Sequence, residues 1–319
     1  MAVVSDGSFR VGLVAPTRNA GAGWPEWLDA VGAQDLKPAE VLVVDSSSCD
    51  GTAESARGRG YRVDVIPVEE FNHGRTRQQA IRKLEDVDVV VMLTQDAMLF
   101  DRVGLSALVA PFYDKTVGAS FGRHLPRVGA DPIEAHARLF NYPVHSRVVG
   151  AEDIPELGIK AAAISNSFAA YRMTALDGVG GFPTDVILCE DVYVAAKMLM
   201  SGWKIAYCGN AVVRHSHDYS WWQEFKRYFD IGVFHSRERW ILERFGKPQG
   251  EGARFVKSEI KYVWQTAPRL IVPIVFRTAS KILGYHLGRV EGVLPVELKR
   301  RFSMHSAYWE RKRTGVVVG

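Results

Sequence analysis

Four short apolar runs constrain this chain more than any other feature: RVGLVAP (10–16), VLVVD (41–45), VDVIP (63–67) and VDVVVML (87–93). Unbroken Val/Leu segments bounded by turn residues suit strands buried on both faces. Helical patterns at 24–34, 51–58 and 75–85 separate them. Alternating strand and helix predict an α/β fold, with a mostly parallel sheet covered by helices on both sides and right-handed crossovers. Residues 125–160 carry few periodic signals and hold Pro126, Pro132, Pro143 and Pro155. Regularity returns with SFAAY (167–171), a helix near 188–201, and strands KIAYC (204–208) and AVVRH (211–215). From Trp221 onward the pattern is helical, with no internal repeat.

A length of 319 residues suffices for a sizeable core, and 24% charged residues exclude a disordered or collagen-like chain. Cys49, Cys189 and Cys208 form no CxxC pair, which disfavours a thiolate zinc site and fits a reducing compartment. No signal peptide is read at the amino terminus. The longest apolar stretch of the C-terminal part, Leu270 to Phe276, is too short to span a bilayer. A cytoplasmic protein is expected.

Charge is unevenly spread. Residues 254–319 carry 13 Lys/Arg against 4 Asp/Glu, a net of +9, and the rest of the chain has a net of −5. A body of residues 1–235 with a helical, basic region at 236–319 is therefore expected. In that region Tyr262–Arg277 mixes apolar and basic residues, followed by Lys299-Arg300-Arg301 and Arg311-Lys312-Arg313. Such a pattern suits a helix lying in an anionic membrane interface. It equally suits a helical cap on the body or on a second copy in a homo-oligomer. Nucleic acid is not expected, because aromatic and basic residues do not interleave on a strand face. Trp221-Trp222 and Trp240 are candidates for an acceptor groove, or for buried core.

In an open α/β sheet, ligands bind beyond the carboxyl ends of the strands. Three polar clusters fall there: Pro16-Thr17-Arg18-Asn19, Asp45-Ser46-Ser47-Ser48-Cys49-Asp50-Gly51-Thr52, and Thr94-Gln95-Asp96-Ala97. Each alone is ordinary turn chemistry; their alignment on one edge is what points to a site. Neither GxGxxG nor GxxxxGK[ST] is present. A fourth cluster, Phe71-Asn72-His73-Gly74-Arg75-Thr76-Arg77, opens a helix with basic residues, against the preference of the helix dipole. A compensating anion such as a diphosphate is expected there. Glu190-Asp191 opens a later helix, and neighbouring helical residues point about 100° apart, so one of the two should face a reacting atom. His215-Ser216-His217 places two imidazoles on one side of a strand end.

In this order the motifs resemble inverting family 2 glycosyltransferases of the GT-A fold, and most closely the bacterial rhamnosyltransferase branch that uses dTDP-L-rhamnose. FNHGRTRQQA, LTQDAM, SNSFAAYR, GGFP, CEDVYVA and HSHDYS carry the likeness, over about residues 10–235. The resemblance implies that Pro16, Thr17 and Asp45 hold the base and ribose, with Asn19, Ser47 and Gln95 also on the donor side. It puts His73 and Arg77 near the diphosphate or sugar. It makes Asp96, His215 and His217 ligands of Mg²⁺ or Mn²⁺, and Asp191 the general base with Glu190 beside it. Gln95 departs from the family's usual Asp-x-Asp. The implied reaction moves L-rhamnose from dTDP-β-L-rhamnose to a hydroxyl of a glycan or polyprenyl-linked acceptor, on the inner face of the cell membrane. Alternatives are a UDP- or GDP-hexose donor, or a non-catalytic sugar- or membrane-binding module. A nucleotidyltransferase would want a glycine-rich phosphate loop after the first strand, and GAGWPEW (21–27) is a poor candidate.

Overall fold

The computed structural model describes residues 9–246 and 250–314, with side chains to residue 310. The chain opens with β1 (Val11–Thr17), α1 (Trp24–Gly32), β2 (Glu40–Asp45), α2 (Thr52–Gly58), β3 (Arg62–Val65), α3 (His73–Ile81) and β4 (Val89–Leu93). It continues through β5 (Met98–Leu99), α4 (Gly104–Val109), β6 (Val117–Leu125), α5 (Pro132–Asn141), β7 (Arg147–Val149) and α6 (Ile154–Leu157). Next come β8 (Phe168–Arg172), α7 (Met173–Gly178), α8 (Glu190–Met200) and β9 (Lys204–Arg214). The last helices are α9 (Trp221–Arg237), α10 (Arg239–Phe245), α11 (Glu251–Thr266), α12 (Ile271–Arg289), α13 (Val296–Phe302) and α14 (Ser306–Thr314).

One sheet runs β3-β2-β1-β4-β8-β6-β9-β5, with β7 also on β9. β3, β2, β1 and β4 are mutually parallel, and β6 is parallel to β9. β8 is antiparallel to both β4 and β6. The main strands thus share one direction, as the alternation predicts, and β8 enters from the edge where they leave. The apolar runs are continuous because both sheet faces are covered. Leu13, Val43 and Val91 pack with Trp24, Trp27 and Leu28 on one side. Val14, Leu42, Val90 and Met92 pack with Ile81, Ala195 and Leu199 on the other. Each such side chain contributes about 1.5–3 kcal/mol by leaving water.

The stretch that lacked periodicity, 125–160, holds α5, β7 and α6, and β6 ends where it begins. β6 interrupts its apolar run with Gly118, Ser120, Gly122 and His124. A Cβ on Gly122 would stand 2.2 Å from the Phe168 ring and 2.6 Å from the Ala211 carbonyl, so close strand packing demands glycine there. Ser120 is fully buried and donates to the Leu108 carbonyl at 2.6 Å. α5 starts at Asp131-Pro132, where Asp131 accepts from Ile133 N–H at 2.9 Å and Pro132 takes the first helical position. β9 is one strand where two were expected. Its register against β6 jumps from Gly122↔Cys208 to Arg123↔Val212, so Gly209-Asn210-Ala211 bulge out of the ladder.

The boundary expected at residue 235 falls inside α9. This helix packs along α12 through three glycines: a Cβ on Gly232, Gly284 or Gly288 would lie 2.0–2.3 Å from a backbone oxygen of the facing helix. Among the described residues, no helix is long and apolar enough to cross a membrane.

Candidate active site

The carboxyl ends of β1, β2, β4, β6 and β9 and the amino end of β8 converge on one edge. The first two loops are stitched together there. Asp45 is 1% exposed, and its carboxylate accepts from the Thr17 hydroxyl at 3.1 Å, the Ser48 hydroxyl at 2.5 Å and the Ser48 N–H at 2.8 Å. Asn19 accepts from Cys49 N–H at 3.0 Å, and Asp50 accepts from Gly21 N–H at 2.9 Å. Ser47 turns its hydroxyl to the Ile66 carbonyl at 2.8 Å, and Pro16 is buried in the ladder between β1 and β2. Asn19 (φ 45°), Ser47 (φ 53°) and Cys189 (φ 62°) all occupy the left-handed region. Such strain costs on the order of 1–3 kcal/mol per residue and clusters where a site over-determines the backbone.

Gln95 clips the next loop to the first. Its side-chain oxygen accepts from Arg18 N–H at 2.7 Å, and its amide nitrogen donates to the Arg18 carbonyl at 3.1 Å. A carboxylate could accept but not donate, which accounts for glutamine at this position.

His73 and Arg77 open α3, capped by Asn72, which accepts from Arg75 N–H at 2.9 Å. The helix begins at His73 rather than near residue 75. Gly74 lets it meet the following loop, since a Cβ would stand 1.9 Å from the Pro183 carbonyl. Arg77 is 3% exposed and paired with Glu190 at 3.0 Å. Within the chain, Glu190 thus already balances Arg77 at this basic helix start. His73 is not basic here: burial holds its imidazole down at about 4.

Cys189, in its left-handed turn, aims the two acids at the start of α8 in different directions. Glu190 faces inward to Arg77 and accepts from the Asn166 side chain at 2.9 Å. Asp191 is only half-buried; it accepts from Asn166 N–H at 3.1 Å and Val192 N–H at 2.8 Å. Burial, then the neighbouring Glu190 charge, raises Asp191 to about 6.

Asp96, His215 and His217 present ligand atoms within 4.8 Å of one another. Both imidazole Nε2 atoms lie 3.4 Å from Asp96 Oδ2. The Thr94 hydroxyl donates to Asp96 Oδ1 at 2.6 Å. Despite burial, hydrogen bonds from His215 and Thr94 hold Asp96 well below the usual carboxylate range, while burial lowers His217 to about 4. One carboxylate and two imidazoles carrying a net negative charge fit a divalent cation. Imidazole nitrogens suit Mn²⁺ better than Mg²⁺, which prefers oxygen. Behind the trio, His124 Nδ1 lies 3.1 Å from His215 Nδ1. That contact leaves His215 Nε2 facing Asp96, the outer-sphere arrangement by which ligating histidines are oriented.

A cavity of about 300 Å³ brings together His73, Arg77, Asp96, Glu190, Asp191, His215 and His217. A recess of about 240 Å³ lined by Arg18, Phe71 and Asn72 shares His73, Met304 and His305 with it. Pro16, Thr17, Asn19, Asp45 and Ser47 shape the loops at the edge but line neither. Several residues of the site are not evident from sequence. Asn166 fixes both acids, and SNS before β8 was its signal. Arg227, an exposed residue of α9, lines the cavity, stands 6.0 Å over the Tyr219 ring, and forms no ion pair among the described residues. Met304 and His305, from the region expected to be a separate appendage, close one wall. The Met304 N–H donates to Asp230 at 2.8 Å, and the His305 ring meets His73 at 4.9 Å. The tryptophans line neither cavity: Trp222 stacks on Phe225, Trp240 meets Tyr193, and Trp221 is exposed.

Residues 13–180 match the sequence profile of Glycosyl transferase family 2. The chain is 46% identical over 298 residues to the O-antigen chain rhamnosyltransferase WbaN of Salmonella anatum, covering 93% of this chain and 95% of that protein. It is likewise 46% identical to the O-antigen chain rhamnosyltransferase RfbN of Salmonella typhimurium, covering 94% and 96%. Among solved structures, a mannosyltransferase of Pyrobaculum calidifontis in complex with GDP-Man and Mn²⁺ superposes with a TM-score of 0.56 at 21% identity, over 96% of this chain and 86% of that one. TarS of S. aureus (residues 1–349) gives 0.53 at 14% identity, over 97% and 93%.

Proposed function

Since the chain belongs to glycosyl transferase family 2, and is a glycosyltransferase, we propose that it moves L-rhamnose from dTDP-β-L-rhamnose to a hydroxyl of a growing cell-surface glycan, with inversion. The 46% identity to two O-antigen chain rhamnosyltransferases supports the sugar. The observation that carries the chemistry is that Asp191 opens onto the same cavity as Asp96, His215, His217 and Arg227.

The nucleoside lies in the recess beside Arg18 and Phe71, on the floor that Pro16, Thr17, Asn19, Asp45 and Ser47 hold in shape. The diphosphate lies against Arg227, with His73 offering a neutral N–H. Asp96, His215 and His217 hold the divalent cation, Mn²⁺ rather than Mg²⁺, which when bound neutralises charge on the departing phosphates. Arg77, balanced by Glu190, shapes this wall rather than meeting the anion. Asp191 accepts the acceptor hydroxyl proton. A carboxylate raised to about 6 is ionised at neutral pH yet more basic than a free one, as a general base requires. Attack on an oxocarbenium-like centre from the face opposite the leaving group inverts it.

The outer faces of α11 and α12 expose Ile260, Trp264, Val272, Val275, Phe276 and Leu283, flanked by exposed Lys257, Lys261 and Arg269. Trp and Lys at such an edge suit a bilayer interface, so the enzyme rests on the inner face of the membrane, beside a polyprenyl-linked acceptor. Lys299-Arg300-Arg301 lies on α13; Arg311-Lys312-Arg313 lies outside the described side chains.

Thermal stabilisation by dTDP-rhamnose, UDP-glucose, UDP-galactose and GDP-mannose, with Mn²⁺ or Mg²⁺, tests the donor. The largest shift is expected with dTDP-rhamnose and Mn²⁺; a larger shift with another sugar nucleotide overturns that assignment. Salt-sensitive flotation with anionic liposomes tests the surface. A dimer in solution that does not float would assign the face to a second copy instead.

A further inference from the structure

A hollow larger than the reaction cavity lies beside it. It is a cleft of about 1160 Å³ between the β6–β9–β7 face of the sheet and the start of α11. The aromatic rings of Phe121, Phe140, Tyr142 and Tyr207 line it. Phe121 and Tyr207 lie 5.1 Å apart, and Tyr142 and Tyr207 6.4 Å apart. Lys160, Glu251 and Arg254 form a linked charged rim.

This cleft abuts the reaction cavity. Ile164 lines the first and Ser165 the second. Tyr142 is the partition. Its ring stacks on His124 at 4.4 Å, nearly parallel. His124 in turn touches His215. The segment 164–166 thus runs from the cleft, at Ile164, to Asn166, whose N–H donates to Asp191.

We propose that this cleft binds the acceptor as a short neutral oligosaccharide, holding the two or three sugar units that lie behind the unit receiving the new residue. The inference deepens the glycosyl-transfer assignment above and rests on it. A hexose has an apolar C–H face and a belt of hydroxyls. The partly exposed rings of Phe121, Phe140 and Tyr142 offer platforms to the first, and Lys160, Glu251 and Arg254 offer donors and acceptors to the second. Sites for drug-sized ligands measure roughly 300–1,000 Å³, so the cleft holds an oligosaccharide, whereas the reaction cavity admits little more than the reacting groups. A polyprenyl chain is a poorer occupant, since it would strip water from a charged rim without replacing its hydrogen bonds. Arg254 lies one turn before Lys257 on α11. A glycan leaving the cleft therefore emerges at the basic, apolar helix face.

Ala163 is exposed and lines the cleft, so Ala163→Trp fills it from the surface without disturbing core. Phe140→Ala, which removes one platform, is the second variant. The probes are methyl glycosides of mono-, di- and trisaccharides of mannose, galactose and rhamnose, with the full chain, Mn²⁺ and dTDP-rhamnose. The wild-type acceptor KM should fall from mono- to trisaccharide. Ala163→Trp should raise the trisaccharide KM at least tenfold, while the monosaccharide KM and the donor dissociation constant move less than twofold. Saturation-transfer NMR with the trisaccharides, without donor, should show contact to the outer sugars in wild type and its loss in Ala163→Trp. If wild type turns over no dTDP-rhamnose, the donor assignment fails, while the NMR arm still decides the cleft. Equal saturation transfer to both proteins, none to wild type, or displacement of the trisaccharide by micellar polyprenyl phosphate would overturn the proposal.

Discussion

Glu190→Gln separates the roles of the adjacent acids on α8. Glutamine keeps the shape of the side chain and an acceptor for Asn166, but leaves Arg77 without a counter-ion at a site where both side chains are almost fully buried. Removing one partner of a buried pair costs about 3–5 kcal/mol, because the remaining charge is desolvated and unpaired. At about 2–4 °C per kcal/mol for a large domain, Tm should fall by roughly 6–20 °C. The double variant Arg77→Met/Glu190→Gln strands no charge and should recover at least half of that loss. The kinetic consequence is separate. Burial first and the Glu190 charge second hold Asp191 at about 6. With Glu190 neutral and Arg77 uncompensated, Asp191 ionises at lower pH, so the acid limb of kcat moves down from about 6. Calorimetry of the three variants and a pH–kcat profile over pH 4.5–8 test both halves. The assignment of Asp191 as base and Glu190 as its positioning partner is refuted if Glu190→Gln is as inactive as Asp191→Asn while its Tm is unchanged.

Asp191→Asn should lower kcat by about 10²–10⁴ while donor affinity, read by calorimetric titration, stays within twofold. In wild type the base works deprotonated, so kcat should fall about tenfold per unit as pH drops below about 6; a flat profile there would remove Asp191 from the role. His124→Phe deletes the partner of His215 and should weaken Mn²⁺ affinity by about 10–100-fold, measured by Mn²⁺ titration with the donor absent. Gly288→Ala puts a Cβ 2.0 Å from the Phe229 carbonyl and should cost about 1–3 kcal/mol through forced separation of α9 and α12; thermal melts showing no loss would refute tight packing at that seam.

The parallel half of the sheet was legible because its strands are buried on both faces and write that burial as Val/Leu runs. β6 was not, because a strand threaded between β8 and β9 needs glycine for approach and keeps Ser120 and His124 for polar contacts, which erases its pattern. The same divide holds for the candidate site. Asp96, Asp191, His215 and His217 sit at element ends, where loops announce themselves. His124, Asn166, Arg227 and His305 join them only through the strand order and the packing of α9. Sequence placed Arg77 near an anion but could not tell that Glu190, 113 positions later, pairs with it inside the chain.

Met304 and His305 give the candidate site a wall that is synthesised after all its other lining residues, Arg227 included. A ribosome that has finished β9 and α9 has polymerised every proposed metal ligand and both acids, yet the nascent protein still lacks that wall. A premature stop codon between positions 290 and 300 would therefore keep every proposed ligand, both acids and the α9–α12 seam in the chain, yet leave the cavity without that wall.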